Sequence, residues 1–357
     1  MADTTQILTA KGGVSRLPVG AAARCHAIVS DAAPAGWPRF DRGVYVPGAI
    51  VVVAAFVAAV ALPLATYTTA LALFGFAHVA SELRYVDHRF GARLDGGLAG
   101  TLAVLLAIAV LLRLAGMRGW LDPSLAVGLE VGLGAILLGV TVSRMRQRRW
   151  IAVVAALVLI AGALLAPFET LLCFAIVHNL TPLGFLAEAL RGVARWWALA
   201  AATVAFIVLP LLIATGLPFA WFAMLGLVAP EATLFSAGDL TQNLGAYVPA
   251  SALYSDWALH AFAASVFAQC MHYIAVIGIL PRLIGASSAP RLLWPDQVRF
   301  GRTLVIGSAA LGLGFALDYG LQRQVYALAA LVHAWLELPI FALALGSAVS
   351  SQAKSRP

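Results

Sequence analysis

The sequence predicts an all-α, polytopic membrane bundle of about ten transmembrane helices with both termini cytoplasmic. Three observations lead there. The 357 residues are 62% hydrophobic and only 11% charged, where a soluble domain carries roughly 25% charged residues. Several apolar runs reach about 18 residues or more, the length a membrane helix needs. The arginines gather in alternate connections, as cytoplasmic loops do. The net charge of +7 is nearly all arginine, since lysine occurs only at Lys11 and Lys354. In such a chain a basic balance points to anionic membrane lipid as partner and argues against nucleic acid. Cys25, Cys173 and Cys270 are scattered without a CxxC pair, which argues against a disulfide framework or a zinc ribbon.

Residues 1–45 are polar and Ala/Gly/Pro-rich, with Lys11, Arg16, Arg24, Arg39 and Arg42, and read as a cytoplasmic lead-in without a signal peptide. The transmembrane domain is 46–350. Its first span is about 47–63, a Val/Ala-rich run stopped near Pro63. The second, about 66–86, contains His78 and Glu82, and Arg84, His88, Arg89 and Arg93 surround its end. A third span covers about 97–115, and the turn Met117 to Pro123 leads into a fourth, about 123–143, with Glu130 inside it. The densest basic run, Arg144 to Arg149, follows. The fifth span is about 150–166. Pro167 opens the sixth, about 167–188, which holds Glu169, His178 and Asn179. The seventh is about 196–215. Residues 216–255 mix a short apolar piece with Pro230, Glu231, Asp239, Gln242 and Asn243, and read as an extracytoplasmic or re-entrant cap. The eighth span, about 257–281, carries His260, Cys270 and His272. The ninth is about 302–317. The polar turn Asp318 to Gln324 precedes the tenth, about 325–347, with His333 and Glu337. A cytoplasmic tail, 351–357, ends the chain.

Charge supports this layout. With the N-terminus inside, the even spans deliver the chain to the cytoplasm at 87–95, 144–149, 189–195, 282–302 and 350–357, where most arginines lie. In the proposed outer segments only Arg118 and Arg323 are basic, and residues 196–281 contain no Lys or Arg. The chain thus reads as a multi-pass protein of the cell (inner) membrane.

Two stretches carry the chemistry. Phe74 to Glu82 sets His78 four residues before Glu82, and Leu331 to Glu337 repeats the spacing with His333 and Glu337. Residues i and i+4 share one helix face. Ionisable groups inside the membrane are costly and mark functional sites. His178 and His272 lie in similar apolar runs. All four histidine-bearing spans run from outside to inside in this topology. Counted from their outer ends, the histidines lie about 12, 11, 15 and 8 residues deep, roughly 12 to 22 Å at ~1.5 Å per residue. That places them in the middle of a hydrocarbon core ~30 Å thick. Imidazole is a common ligand for iron, copper and zinc. His78, His178, His272 and His333 are therefore candidate metal ligands, with Glu82 and Glu337 as further ligands, catalytic acids or acceptors that orient the rings.

Other polar residues read more plainly. His260 and His88 sit near the two interfaces, with His88 kept as a possible extra ligand. Glu169 falls in a first helical turn, which suits an anion. Cys173 and Cys270 read as small packing residues, and Glu130 has no evident partner in the sequence. Phe74, Phe76, Tyr85, Phe174, Tyr273 and Trp335 either line a lipophilic pocket or pack the core.

The run Leu172-Cys173-Phe174-Ala175-Ile176-Val177-His178-Asn179 resembles the F-C-F-I-H-S segment of the Brp/Blh family of bacterial membrane carotenoid oxygenases. Leu328-Ala329-Ala330-Leu331-Val332-His333 with Glu337 looks like that family's last helix, and His78 with Glu82 is similar to its early H-G-x-x-D element. The resemblance implies an all-helical, iron-dependent dioxygenase that splits β-carotene into retinal. It makes His78, His178 and His333 the iron ligands, with His272 matched by order along the chain.

Three functions fit the residues. The first is a metal-dependent oxygenase or oxidase, with iron preferred over copper or zinc, acting on a hydrophobic small molecule or lipid. The second is a haem-binding electron carrier with paired axial histidines. The third is a proton-coupled transporter that uses the His/Glu pairs. No Gly-rich phosphate loop or HExxH motif is present.

Overall fold

The structure is a computed structural model that describes residues 42–284 and 290–347. Those residues are helical throughout, with connecting turns and no strand. The N-terminal lead-in of residues 1–41 and the tail 351–357 lie outside the described residues.

Proline and aspartate punctuate the helices. Helix α1 (Arg42–Ala61) ends two residues before Pro63, which opens α2 (Pro63–Phe90). Proline suits that first position because its missing N–H would be unpaired there anyway. Asp95 caps α3 (Gly96–Met117) by accepting from Leu98 N, and Asp122 caps α4 (Pro123–Val142) through Leu125 N. Arg148, in the left-handed region at φ 53°, turns the chain into α5 (Arg149–Leu165).

The expected sixth span is two pieces. Helix α6 (Pro167–His178) stops at the candidate ligand itself, and α7 (Thr181–Ala189) resumes at a 41° angle. Pro182 near the start of α7 lacks the N–H that a continuous helix would need. Helix α8 (Gly192–Thr203) runs through a π turn (Val204–Val208) into α9 (Leu209–Ala214). The 216–255 segment contains α10 (Leu217–Met224), the single turn α11 (Leu240–Leu244) and a 3₁₀ turn, joined by irregular chain. Helix α12 (Ala258–Ile274) passes into a π turn (Ala275–Ile279) that begins three residues after His272. Two long helices, α13 (Gln297–Leu317) and α14 (Tyr319–Ser347), complete the bundle.

Among the described residues seven helices are long and apolar enough to cross a membrane, and eight if the bent α6–α7 pair is one span. Helix α5 and the apolar part of α1 are shorter than a full crossing. The spans differ sharply in burial. The apolar window of α12 is 67% buried and that of α2 is 56%, against 11% for α13 and 17% for α8–α9. Helices α2, α12, α4 and α14 are the most buried, while α3, α8–α9 and α13 turn residues such as Leu111, Leu211 and Val305 outward. A chain in lipid needs apolar surface outside, so these exposed residues are expected and carry no docking signal.

Three apolar clusters enclose the middle of α2, α12 and α14. One surrounds Leu64, Phe262 and Phe267, a second Leu133, Leu137 and Trp335, and a third Tyr85, Phe185 and Ile340. Gly134 on α4 lets the Trp335 ring lie against its backbone, where a Cβ would overlap the indole. Asp87 ties the far end of α2 by accepting from Arg291 N, Leu292 N and Trp294 Nε1. Fixed at this end and packed along its length, α2 presents His78 and Glu82 inward.

Candidate metal centre

The four histidines of the apolar spans come from α2, α6, α12 and α14, and the structure brings them together. Ligand-type atoms of His78, Glu82, His178, His272 and His333 all lie within 4.8 Å of one another. His78 Nε2 is 3.1 Å from His333 Nε2, which is 3.1 Å from His178 Nε2. His272 Nε2 is 3.2 Å from Glu82 Oε2, and His333 Nε2 is 3.7 Å from the same oxygen. His78, Glu82, His272 and His333 are at most 2% exposed. The His178 side chain keeps 11%.

Glu337 occupies a different place. Its Oε2 is 2.7 Å from Nδ1 of His178. As a carboxylate it accepts from Nδ1–H, which leaves the Nε2 lone pair of His178 aimed into the cluster. The two glutamates are hydrogen-bonding neighbours, so the pair can share a proton.

These features fit a cation. His333 Nε2 faces two other Nε2 atoms, and with neutral rings one ring N–H cannot satisfy all three. A buried carboxylate, which the glutamate pair keeps even when it shares one proton, also needs compensating positive charge. A transition metal bound by the inward nitrogens and Glu82 would meet both demands, and imidazole with carboxylate suits iron, copper or zinc.

A cavity of about 300 Å³ opens beside the cluster, toward the N-terminal ends of α2 and α14. His78, His178, His272 and His333 form one wall. Tyr273 stacks on His78, with ring centroids 4.2 Å apart and planes 22° off parallel. A hydrogen-bonded row leads away from it. Tyr247 Oη donates to Gln269 Oε1 at 2.9 Å, Gln269 Nε2 donates to Tyr273 Oη at 2.7 Å, and Tyr273 Oη is 2.8 Å from Tyr326 Oη. On another wall Phe174 stacks on Trp335, with centroids 4.2 Å apart.

Glu130, which has no evident partner in the sequence, has two in the structure. Arg113 Nε and Nη2 donate to its two oxygens at 2.6 and 2.7 Å, and Trp335 Nε1 donates to Oε1 at 2.9 Å. This bidentate pair anchors α14 two residues beyond His333. His88, His260, Cys173 and Cys270 lie outside the ligand group. His260 packs against Phe219 instead, with centroids 4.8 Å apart.

Sequence reading missed Arg113, Gln269, Arg323 and Tyr326. The rule that singled out the histidines, an ionisable or strongly polar group in an apolar span, also applies to Arg113 and Gln269. No family model, curated protein or solved structure matches the chain.

Proposed function

We propose that the protein is an integral membrane metalloenzyme, an oxygenase or oxidase acting on a lipophilic substrate with iron as its metal. One observation carries the reading: four imidazoles and a carboxylate from distant parts of the chain meet within 4.8 Å, with the imidazoles lining a cavity. Such a convergence of costly groups is retained where it has work to do. His78, His178, His272, His333 and Glu82 would hold the metal, and Glu337 would set the tautomer of His178. A redox-active metal in that position supplies binding and activation of O₂. The remaining work is the protein's. Apolar walls of Leu71, Leu171, Phe174 and Leu331 take a hydrophobic body and exclude water, and the Tyr273–Tyr326 pair presents hydroxyls beside His78.

We read the topology as ten crossings with both termini cytoplasmic from the apolar runs and the distribution of arginine; the seven long helices and the α6–α7 pair support eight of those crossings. The short-segment likeness to Brp/Blh carotenoid oxygenases points to the same chemistry. A haem carrier fits poorly. Ring centroids of the histidine pairs lie 4.7 to 5.6 Å apart on several sides, so no open plane remains between two of them for a flat macrocycle.

A second reading, a proton-coupled transporter, has one observation behind it: the helix break between α6 and α7 falls at His178. Elemental analysis and an absorption spectrum of detergent-purified protein separate the readings. The expected result is near-stoichiometric iron without a Soret band. Folded protein that purifies without transition metal overturns the metalloenzyme reading, and gradient-driven flux in vesicles would then establish the transporter.

A further inference from the structure

We propose that the cavity binds an amphiphile with an anionic head group, held by Arg323, whose apolar body extends to the histidine cluster. The inference rests on the metalloenzyme reading only in making the cluster the reactive end.

Two arginines line the cavity, and they differ in one respect. Arg113 is neutralised by a bidentate Glu130. Arg323 has neutral partners: its Nη1 donates to Asn243 Oδ1 at 3.2 Å, and its guanidinium lies 5.7 Å from the Tyr67 ring centroid. Among the described residues no carboxylate lies within ion-pair distance of it. Asn243 is fully buried and held in place by Ala237 O and Asp239 O, so its carbonyl is a fixed neutral support. A half-buried guanidinium facing a cavity without an acid favours an anion brought by the ligand, and carboxylate or phosphate matches its fork of donors. Arg323 is also one of only two basic residues in the proposed outer segments, against the charge trend of the rest of the chain.

Geometry sets the length. Arg323 and His333 are ten residues apart on α14, which is about 15 Å of helix. Tyr326 and Ala330 line the cavity between them. A head group at one end therefore leaves an apolar chain beside the imidazoles at the other.

Isothermal titration calorimetry on the full chain in uncharged detergent tests this with dodecanoate, dodecyl phosphate and dodecanol, before and after metal removal by chelation. At least one anion should bind about tenfold tighter than the alcohol. Arg323→Gln should erase that margin while leaving dodecanol unchanged, and Arg323→Lys should keep part of it. The stronger of the two anions identifies a carboxylate or a phosphate head. Equal affinity for all three probes in the native protein overturns the proposal, and that comparison needs no variant. A preference that survives Arg323→Gln but disappears with the metal also overturns it, because the anion then sits on the metal. Arg323→Gln weakening all three probes alike would make Arg323 a latch for the 216–255 segment and refute the binding role. The preference persisting in a chain that never carries metal would sink the metalloenzyme reading and leave this inference standing.

Discussion

Helices α2 and α14 carry the same short relation, a histidine four residues before a glutamate, and use it differently. On α2, Glu82 turns into the cluster and lies 3.2 Å from His272 and 3.7 Å from His333. On α14, Glu337 turns away to His178 Nδ1, behind the ring. The spacing puts each pair on one helix face. What that face meets decides the role. Helix α2 looks across at α12 and α14, whose imidazoles are already inward, while α14 one turn below His333 meets the end of α6. Equal motifs in sequence thus place one carboxylate inside the histidine cluster and the other behind the His178 ring.

The largest expected effect comes from removing the imidazole of either helix. His78→Ala or His333→Ala should reduce bound metal from near one per chain to background, read by elemental analysis on monodisperse protein. Full metal in both variants would dissolve the site. Next comes the comparison itself. Glu337→Gln should weaken metal binding by ~10–100-fold, the range for an outer carboxylate. Glu82→Ala should exceed that range, and competition with a metallochromic chelator would rank them. The reverse order would exchange the two roles.

A smaller effect tests whether α14 is held from outside the site. Arg113→Ala leaves Glu130 buried with only the Trp335 indole as donor. The Arg113 side chain is 22% exposed, so the cost should fall below the ~3–5 kcal/mol of a fully buried broken pair, at about 2 kcal/mol. Thermal melting in detergent measures it, and unchanged stability would remove Glu130 from the account of α14. The smallest effect lies away from the cluster. At Asp95 the Leu98 N–H, helped by Arg144, holds the carboxyl below its ordinary range. A depressed carboxyl stabilises the fold above its unfolded value, and that contribution fades as pH falls through the lower folded value. Asp95→Asn should therefore melt slightly lower near neutral pH and converge with the native protein in acid. A gap that widens in acid would contradict this.

Much of the architecture was legible because lipid imposes simple demands. Apolar runs and the prolines Pro63, Pro123 and Pro167 mark span ends by local chemistry, and the structure adds the aspartate caps at Asp95 and Asp122. The break after His178 was not legible in the same way, since 167–188 reads as one apolar run and Pro182 alone does not fix an angle. Glu130 shows the limit more clearly. Its partners Arg113 and Trp335 are 17 and 205 residues away, and nothing local announces either.

The sequence by itself determined that this chain is a membrane helix bundle and that its four span histidines are out of place in lipid, because both follow from transfer energies summed over short windows. Tertiary structure alone decided that those histidines meet, that Glu82 joins them while Glu337 stands behind His178, and that, among the described residues, Arg113 meets a carboxylate while Arg323 meets a neutral amide. Those outcomes depend on which helix faces which. Packing over the whole chain settles that, and no local window encodes it.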